Sequence, residues 1–312
     1  MQTPAKTILL PVDGSKNSFK SLDYLHLMFG EDPNLNLQLV YVLPSLPPLF
    51  ADAPLSDKQL QTKLKEVQEK NREQGQKVID KALKRTKKMF FAKEQVKAEY
   101  LTARGTTAQD ICQLANRRRV DALLISRRGL TDLQSFFMGS VTRGLLDCRP
   151  FCPVWVCGRK NLSQTVLMAM DNSENALSAV EHVGAMLADT QCRITLFHAM
   201  RHLNKFIPAE VLNEPSELTD LWVDRLSDSI RPAMKKGRDI LLKAGLQEEQ
   251  INEKITQGSR SAAHDIITEA TENHYGTIVL AHRSQKSATG ALFGSVTAKV
   301  LNSVGKIAVW VV

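Results

Sequence analysis

The chain repeats itself, and this constrains its architecture more than any single motif. Gly139-Ser140-Val141-Thr142 recurs as Gly294-Ser295-Val296-Thr297, and Val154-Trp155-Val156 as Val309-Trp310-Val311, both at an offset of 155 residues. Ala108-Gln109-Asp110-Ile111 returns at the same offset as Ala263-His264-Asp265-Ile266. Near the start of each copy, the run from Thr7 to Ser15 aligns with the run from Thr165 to Ser173, now at an offset of 158, so the copies differ by a small net length. Self-similarity on this scale means two domains, and 312 residues give each about 150, near the common domain size. The division falls in the short polar connection from Gly158 to Ser163, giving domains 1–158 and 159–312.

Each copy alternates short apolar runs with helix-length segments. In the first, strands are predicted near 7–12, 36–43, 95–101, 121–126 and 153–157, with helices near 16–29, 57–90, 107–118 and 140–148. The second gives strands near 165–170, 192–199, 251–257, 276–282 and 306–312, with helices in the matching gaps. Strands apolar on both faces and separated by helices imply a parallel sheet covered on both sides, a doubly wound five-stranded α/β sandwich in each copy. In such sheets ligands bind beyond the carboxyl ends of the strands, where the strand order reverses. The residues after strands one and four are therefore the ones to inspect, and there the repeat is tightest.

After strand one comes Val12-Asp13-Gly14-Ser15. A carboxylate at a strand end can accept hydrogen bonds from a ribose or an amino group; equally, Asp13 can simply turn the chain while Ser15 and Ser18 cap the next helix. After strand four comes Ser126-Arg127-Arg128-Gly129, then nine residues, then Gly139-Ser140-Val141-Thr142 opening a helix. Glycines let backbone approach a phosphate closely, and a helix start offers unpaired N–H groups and a favourable dipole. The same residues would also serve a plain helix cap after a turn.

The combination resembles the universal stress protein domain, over the whole chain and twice. The resemblance rests on Val-Asp-Gly-Ser after strand one, Leu-Leu-Ile-Ser-Arg-Arg-Gly at strand four, Gly-Ser-Val-Thr nine residues later and a closing Pro-Val-Trp-Val strand. It implies a fold like that of the adenine nucleotide alpha hydrolases and, in ATP-binding members, a pattern of Gly, two residues, Gly, nine residues, Gly and then Ser or Thr. The first copy has Ser126 for the first glycine and keeps Gly129, Gly139 and Ser140; the second has Ala281, Ser284, Gly294 and Ser295, and Asn172 follows Asp171. The resemblance thus implies ATP or a related adenine nucleotide in domain 1, with Pro11, Asp13 and Val42 bordering the adenosine and Ser126, Gly129, Gly139, Ser140 and Thr142 around ribose and phosphates. Domain 2 would hold a degenerate site. The family also implies that the two domains associate through their last strands as an internal pseudo-dimer, which a homodimer of chains could extend.

Other chemistries find little support. The net charge of +8 comes from the first copy, with 24 Lys/Arg against 16 Asp/Glu, while the second has 17 of each. The stretch from Lys58 to Lys97 alone holds 13 basic and 5 acidic residues. Leu60, Leu64, Val67, Val78 and Ala82 follow a helical stripe within it, so the lysines read as the solvated face of an amphipathic helix rather than a nucleic-acid surface, which would interleave aromatics. Five scattered cysteines make no disulfide framework and no zinc pattern, and no Ser-His-Asp or Cys-His arrangement emerges among the histidines. No apolar run is long enough to span a membrane, and the start, interrupted by Asp13, lacks the features of a signal peptide, so a cytoplasmic location is expected. Trp155 and Trp310, at equivalent positions, read as packing residues. The expected function is a non-enzymatic stress-response regulator holding a nucleotide in domain 1. The alternatives are a nucleotide-free module that engages an unknown protein partner through its divergent second half and the extra segment from about Arg201 to Pro232, and a slow ATPase.

Overall fold

The structure is a computed structural model and describes residues 5–30, 32–46, 58–89, 91–127, 139–148, 150–158, 163–201, 207, 217–257, 261–282 and 294–312. Its strands are β1 (Lys6–Pro11), β2 (Leu35–Leu43), β3 (Val96–Thr102), β4 (Ala122–Ser126), β5 (Val154–Cys157), β6 (Thr165–Ala169), β7 (Arg193–Met200), β8 (Ile251–Gln257), β9 (Thr277–Leu280) and β10 (Ala308–Val311). The α-helices among the described residues are α1 (Lys16–Phe29), α2 (Lys58–Lys88), α3 (Thr107–Arg118), α4 (Ser140–Cys148), α5 (Glu174–Leu187), α6 (Glu217–Ala244), α7 (Ala262–Glu272) and α8 (Ser295–Ser303). Each lies where the periodicity puts it, with ends moved by a few residues at most.

Contacts divide the chain into two compact units. The first holds the described residues up to His26, then 32–127 and 139–154; the second holds 27–30 and 155–312. In the first unit the strand order is β3-β2-β1-β4, all parallel where their register is defined: Pro11 lies opposite Val40, and Leu9 opposite Leu123. The second unit runs β8-β7-β6-β9-β10 and then β5, with Ala169 opposite Phe197 and Val311 opposite Leu280. The strand order reverses between β1 and β4 in one unit and between β6 and β9 in the other.

The reason these strands form a sheet is visible in their burial. Ile8, Leu9 and Leu10 are all fully buried, as are Leu167 and Met168, so both faces of β1 and β6 are covered. Trp155 and Trp310 are packing residues, as expected. In the second unit Trp155 and Trp310 stack with ring centroids 3.7 Å apart and planes within 3°, and His182 meets both edge-on at 5.7 and 6.1 Å. Desolvation by burial holds the His182 imidazole down at about 4, so it is neutral at ordinary pH.

Two expectations need correction. The α2 stripe packs only from Gly75 onward, with Val78, Ile79, Ala82 and Thr86 buried against β2 and β3. Before that point no residue of α2 is buried, and Val67 is 46% exposed, so the first turns of this helix overhang rather than cover the sheet. The part of the segment 201–232 that is described from Glu217 onward is also not extra, because it belongs to α6, the counterpart of α2, with Pro232 inside that helix.

Candidate functional site

The first unit has a cavity of about 330 Å³ at the reversal between β1 and β4. Its floor and walls come from the end of β1 (Pro11, Val12, Asp13), from β2 (Val40, Tyr41, Val42), from the start of α3 (Thr107, Ile111), from the end of β4 (Ile125, Ser126) and from the start of α4 (Gly139, Val141, Thr142). Of the residues expected from the sequence, Pro11, Asp13, Val42, Ser126, Gly139 and Thr142 are thus brought together. Ser140 is exposed beside them and does not line the cavity. Gly129 lies outside the described residues.

Local chemistry explains how each part is held. Oδ1 of Asp13 accepts the backbone N–H of Ser15 at 2.9 Å, which fixes the carboxylate at the strand end. Gly14 makes this turn with φ +81°, and a Cβ there would also sit 2.8 Å from Val78, so a side chain is excluded twice. The Ser15 hydroxyl accepts the N–H of Ser18 at 3.2 Å and starts α1. Asp13 therefore turns the chain and also lines the cavity.

The Ala108-Gln109-Asp110-Ile111 run of the first copy has a structural explanation. Thr106 and Gln109 form a capping box at the start of α3, and Oδ2 of buried Asp110 accepts the N–H groups of Arg104 and Gly105 at 3.0 and 3.2 Å. That turn presents Thr107 and Ile111 to the cavity. At α4 the carbonyl of Gly139 accepts Arg143 N at 2.9 Å, which leaves the amides of the first turn without intrahelical partners. The first turn of α4 carries no acidic side chain, so its dipole offers an uncompensated site for an anion.

The second unit contains the counterpart, a cavity of about 370 Å³ between β6 and β9. Every residue lining the first has its equivalent here. Val12 becomes Met170, Val40 becomes Phe197, Tyr41 becomes His198, Thr107 becomes Ala262 and Ser126 becomes Ala281, while Asp171, Gly294 and Thr297 are kept in kind. The hydroxyl-bearing side chains of Tyr41, Thr107 and Ser126 are all replaced, and a phenyl ring and an imidazole stand on β7. Asp171 again accepts the N–H of Ser173, at 3.0 Å, together with its hydroxyl. Asn172, in place of Gly14, does not have a positive φ. His198 Nδ1 hydrogen-bonds the Met170 carbonyl at 2.7 Å.

This cavity has an extra wall. Trp222, Leu226 and Ser229, spaced on one face of α6, line it, and the Trp222 indole N–H donates to the Arg201 carbonyl at 3.0 Å. Their equivalents in α2 are Val67, Asn71 and Gln74, which do not reach the first cavity. The correspondence is fixed by the matching bonds that close the two helices, Phe91 N to Thr86 O and Leu246 N to Leu241 O. Pro232 lies between Trp222 and the packed end of α6. It removes the bond to the carbonyl four residues back and presses on that carbonyl, a usual cause of a helix bend; Lys77 stands at that position in α2.

Sequence reasoning missed Val12, Val40, Tyr41, Thr107, Ile111, Ile125 and Val141 as lining residues. Their signal was positional: each lies within one helical turn or a few strand residues of an element end that already pointed to the site. Among the described residues no group of three or more His, Cys, Asp or Glu is placed to hold a metal, and no helix is long and apolar enough to cross a membrane.

The sequence profile of the universal stress protein family matches residues 4–158 and again residues 163–312. No curated protein matches the chain significantly. Among solved structures, a universal stress protein from Archaeoglobus fulgidus DSM 4304 is 18% identical with a TM-score of 0.64, covering 100% of this chain and 98% of that one. A functionally unknown protein from Pseudomonas aeruginosa PAO1 is 13% identical with a TM-score of 0.59, over 99% of this chain and 92% of that one. A universal stress protein solved in complex with cAMP aligns with 48% of this chain and 97% of its own, at 20% identity and a TM-score of 0.35.

Proposed function

Because the chain belongs to the universal stress protein family in both halves, we propose that it is a regulatory protein that binds ATP or a related adenine nucleotide in the cavity of its first unit, without designed turnover. The observation carrying this reading is the convergence of Asp13, Ser126, Gly139 and Thr142 on one cavity at the strand reversal. The apolar side, made by Pro11, Val40, Val42 and Ile125, suits a base. The Asp13 carboxylate, oriented by Ser15, suits ribose hydroxyls. The open amides at the start of α4, with Gly139 adding no side chain, suit a phosphate. Asp13 is the one carboxylate among the described lining residues, so those residues supply no acidic pair to hold a metal for phosphoryl transfer. The second cavity, with two hydroxyls replaced by methyl groups and a roof from α6, is not proposed to take this ligand.

The test is to purify the chain without added nucleotide, denature it and analyse the released small molecules by mass spectrometry, with calorimetry of added ATP on the same protein. Retained adenine nucleotide, or a measurable affinity for ATP, is expected. An empty protein that also fails to bind ATP would refute the proposal, and release of phosphate from labelled ATP at a catalytic rate would refute its non-enzymatic part.

A further inference from the structure

The two helices that wall the first cavity carry a pair of thiols on their contact face. At Ala108 and Gly144 these helices approach so closely that a Cβ built on Gly144 would lie 2.7 Å from that of Ala108. Both helices follow strands of one parallel sheet and run in the same direction, so the residues four positions on lie one turn further along the same faces. Those residues are Cys112 and Cys148. The Cys112 sulfur lies 3.7 Å from the Cys148 carbonyl oxygen. Asn116, one more turn along, reaches the Cys112 sulfur at 4.0 Å and accepts the N–H of Phe151 at 2.8 Å, fastening the chain after α4 to α3. Cys112 is buried and Cys148 is half-buried, both with free thiols. The second unit has Ile267 and Ser303 at these positions, and Lys299 in place of Gly144.

We propose that Cys112 and Cys148 are a redox pair, which a peroxide closes into a disulfide that pins α3 to α4 beside the first cavity. The Cys148 thiol gives up its proton, its sulfur attacks a peroxide oxygen and the O–O bond breaks, leaving a sulfenic acid and a hydroxide that takes up that proton to become water. The Cys112 sulfur then displaces the hydroxyl: the S–S bond forms, the S–O bond breaks, and water leaves with the Cys112 proton. Two thiols lose two electrons and hydrogen peroxide becomes two waters. Burial, and then the neighbouring Cys148 charge and hydrogen bond, push the Cys112 thiol up to about 11, so Cys112 is not the sulfur that meets the oxidant first and still carries its proton when the sulfenic acid forms beside it. Cys152, pushed by burial to about 12, is poorly placed to react first. Thr107 and Ile111 are on one pinned helix, and Val141 and Thr142 on the other, so the bond fixes the spacing of two cavity walls. The inference stands whether or not a nucleotide occupies that cavity.

The test treats the full chain with hydrogen peroxide, blocks remaining thiols by alkylation, and maps the unreduced digest by mass spectrometry. A peptide linking Cys112 to Cys148 is expected, with loss of two of the five titratable thiols and their recovery under dithiothreitol. The link should persist in Cys152→Ser and vanish in Cys148→Ser, a half-buried position whose folding is checked by circular dichroism. A link from Cys148 to Cys152, sulfinic acid at Cys148 with Cys112 still alkylated, or five unchanged thiols would each overturn the proposal.

Discussion

The two cavities are built at the same topological position from matching residues, yet they present different chemistry. The first takes hydroxyls from Thr107 and Ser126 among its described lining residues; the second trades those for alanines, places Phe197 and His198 on β7, and gains Trp222, Leu226 and Ser229 from α6. Losing the glycine pattern did not shrink the second cavity, which is about 370 Å³ against about 330 Å³. Duplication thus preserved the place where a ligand can sit while changing what the place can recognise, because the fold sets the crevice and side chains set its selectivity.

The largest effect expected from breaking this symmetry lies in the core. Trp310→Ala should destabilise the second unit by about 4 kcal/mol in urea denaturation, the usual cost of emptying a buried aromatic site. Trp155→Ala should cost about as much, and the double variant less than the sum, because each ring is the other's stacking partner. Strict additivity would show that the stack contributes nothing beyond burial.

The comparison of cavities is sharpened by paired valines. Gly139→Val should weaken ATP binding about a hundredfold, near 3 kcal/mol by calorimetry, while Gly294→Val should leave it unchanged. The reverse result would assign the nucleotide to the second unit.

His182 gives the second unit an acid sensitivity. The equivalent position in α1 is Tyr24, which is fully buried. Since burial lowers the folded pKa of His182 from 6.5 to about 4, the unfolded chain binds the proton more readily. Stability is then fully present above about pH 6.5 and is lost as pH falls toward 4, by on the order of 2 kcal/mol. His182→Leu should flatten that limb of the stability profile, and an unchanged slope would mean another group carries it.

At the first turn, Gly14→Ala should cost about 1–2 kcal/mol, from its positive φ and the approach of Val78. Asn172→Gly should cost well under 1 kcal/mol, since that backbone has no positive φ to relieve. The smallest effect concerns the roof. Pro232→Ala restores a backbone bond in α6, and the emission of Trp222, the tryptophan that lines the cavity, should shift to the red as the indole leaves the Arg201 carbonyl. Trp155 and Trp310, fully buried, should not respond.

Most of the framework was legible because its causes are local. Alternation of apolar runs with helix-length segments gave the strands and helices, and repetition gave the two copies. Six of the eight residues named for the first site line the cavity: the strand pattern pointed to the place, and the resemblance to the family supplied the residues. Tyr41 and Thr107 were not found, because a side chain's face at the end of a strand or helix depends on how the element docks.

The amino-acid sequence by itself determined that the chain holds two copies of one α/β domain, that both belong to one family, and that their glycine patterns differ. Only the tertiary structure decided that α2 overhangs its unit while α6 roofs the second cavity, since apolar spacing records a helical face but not what lies beneath it. Only the tertiary structure, too, brought Cys112 and Cys148 together from positions 36 residues apart, because the contact between α3 and α4 is set by the packing of Ala108 on Gly144.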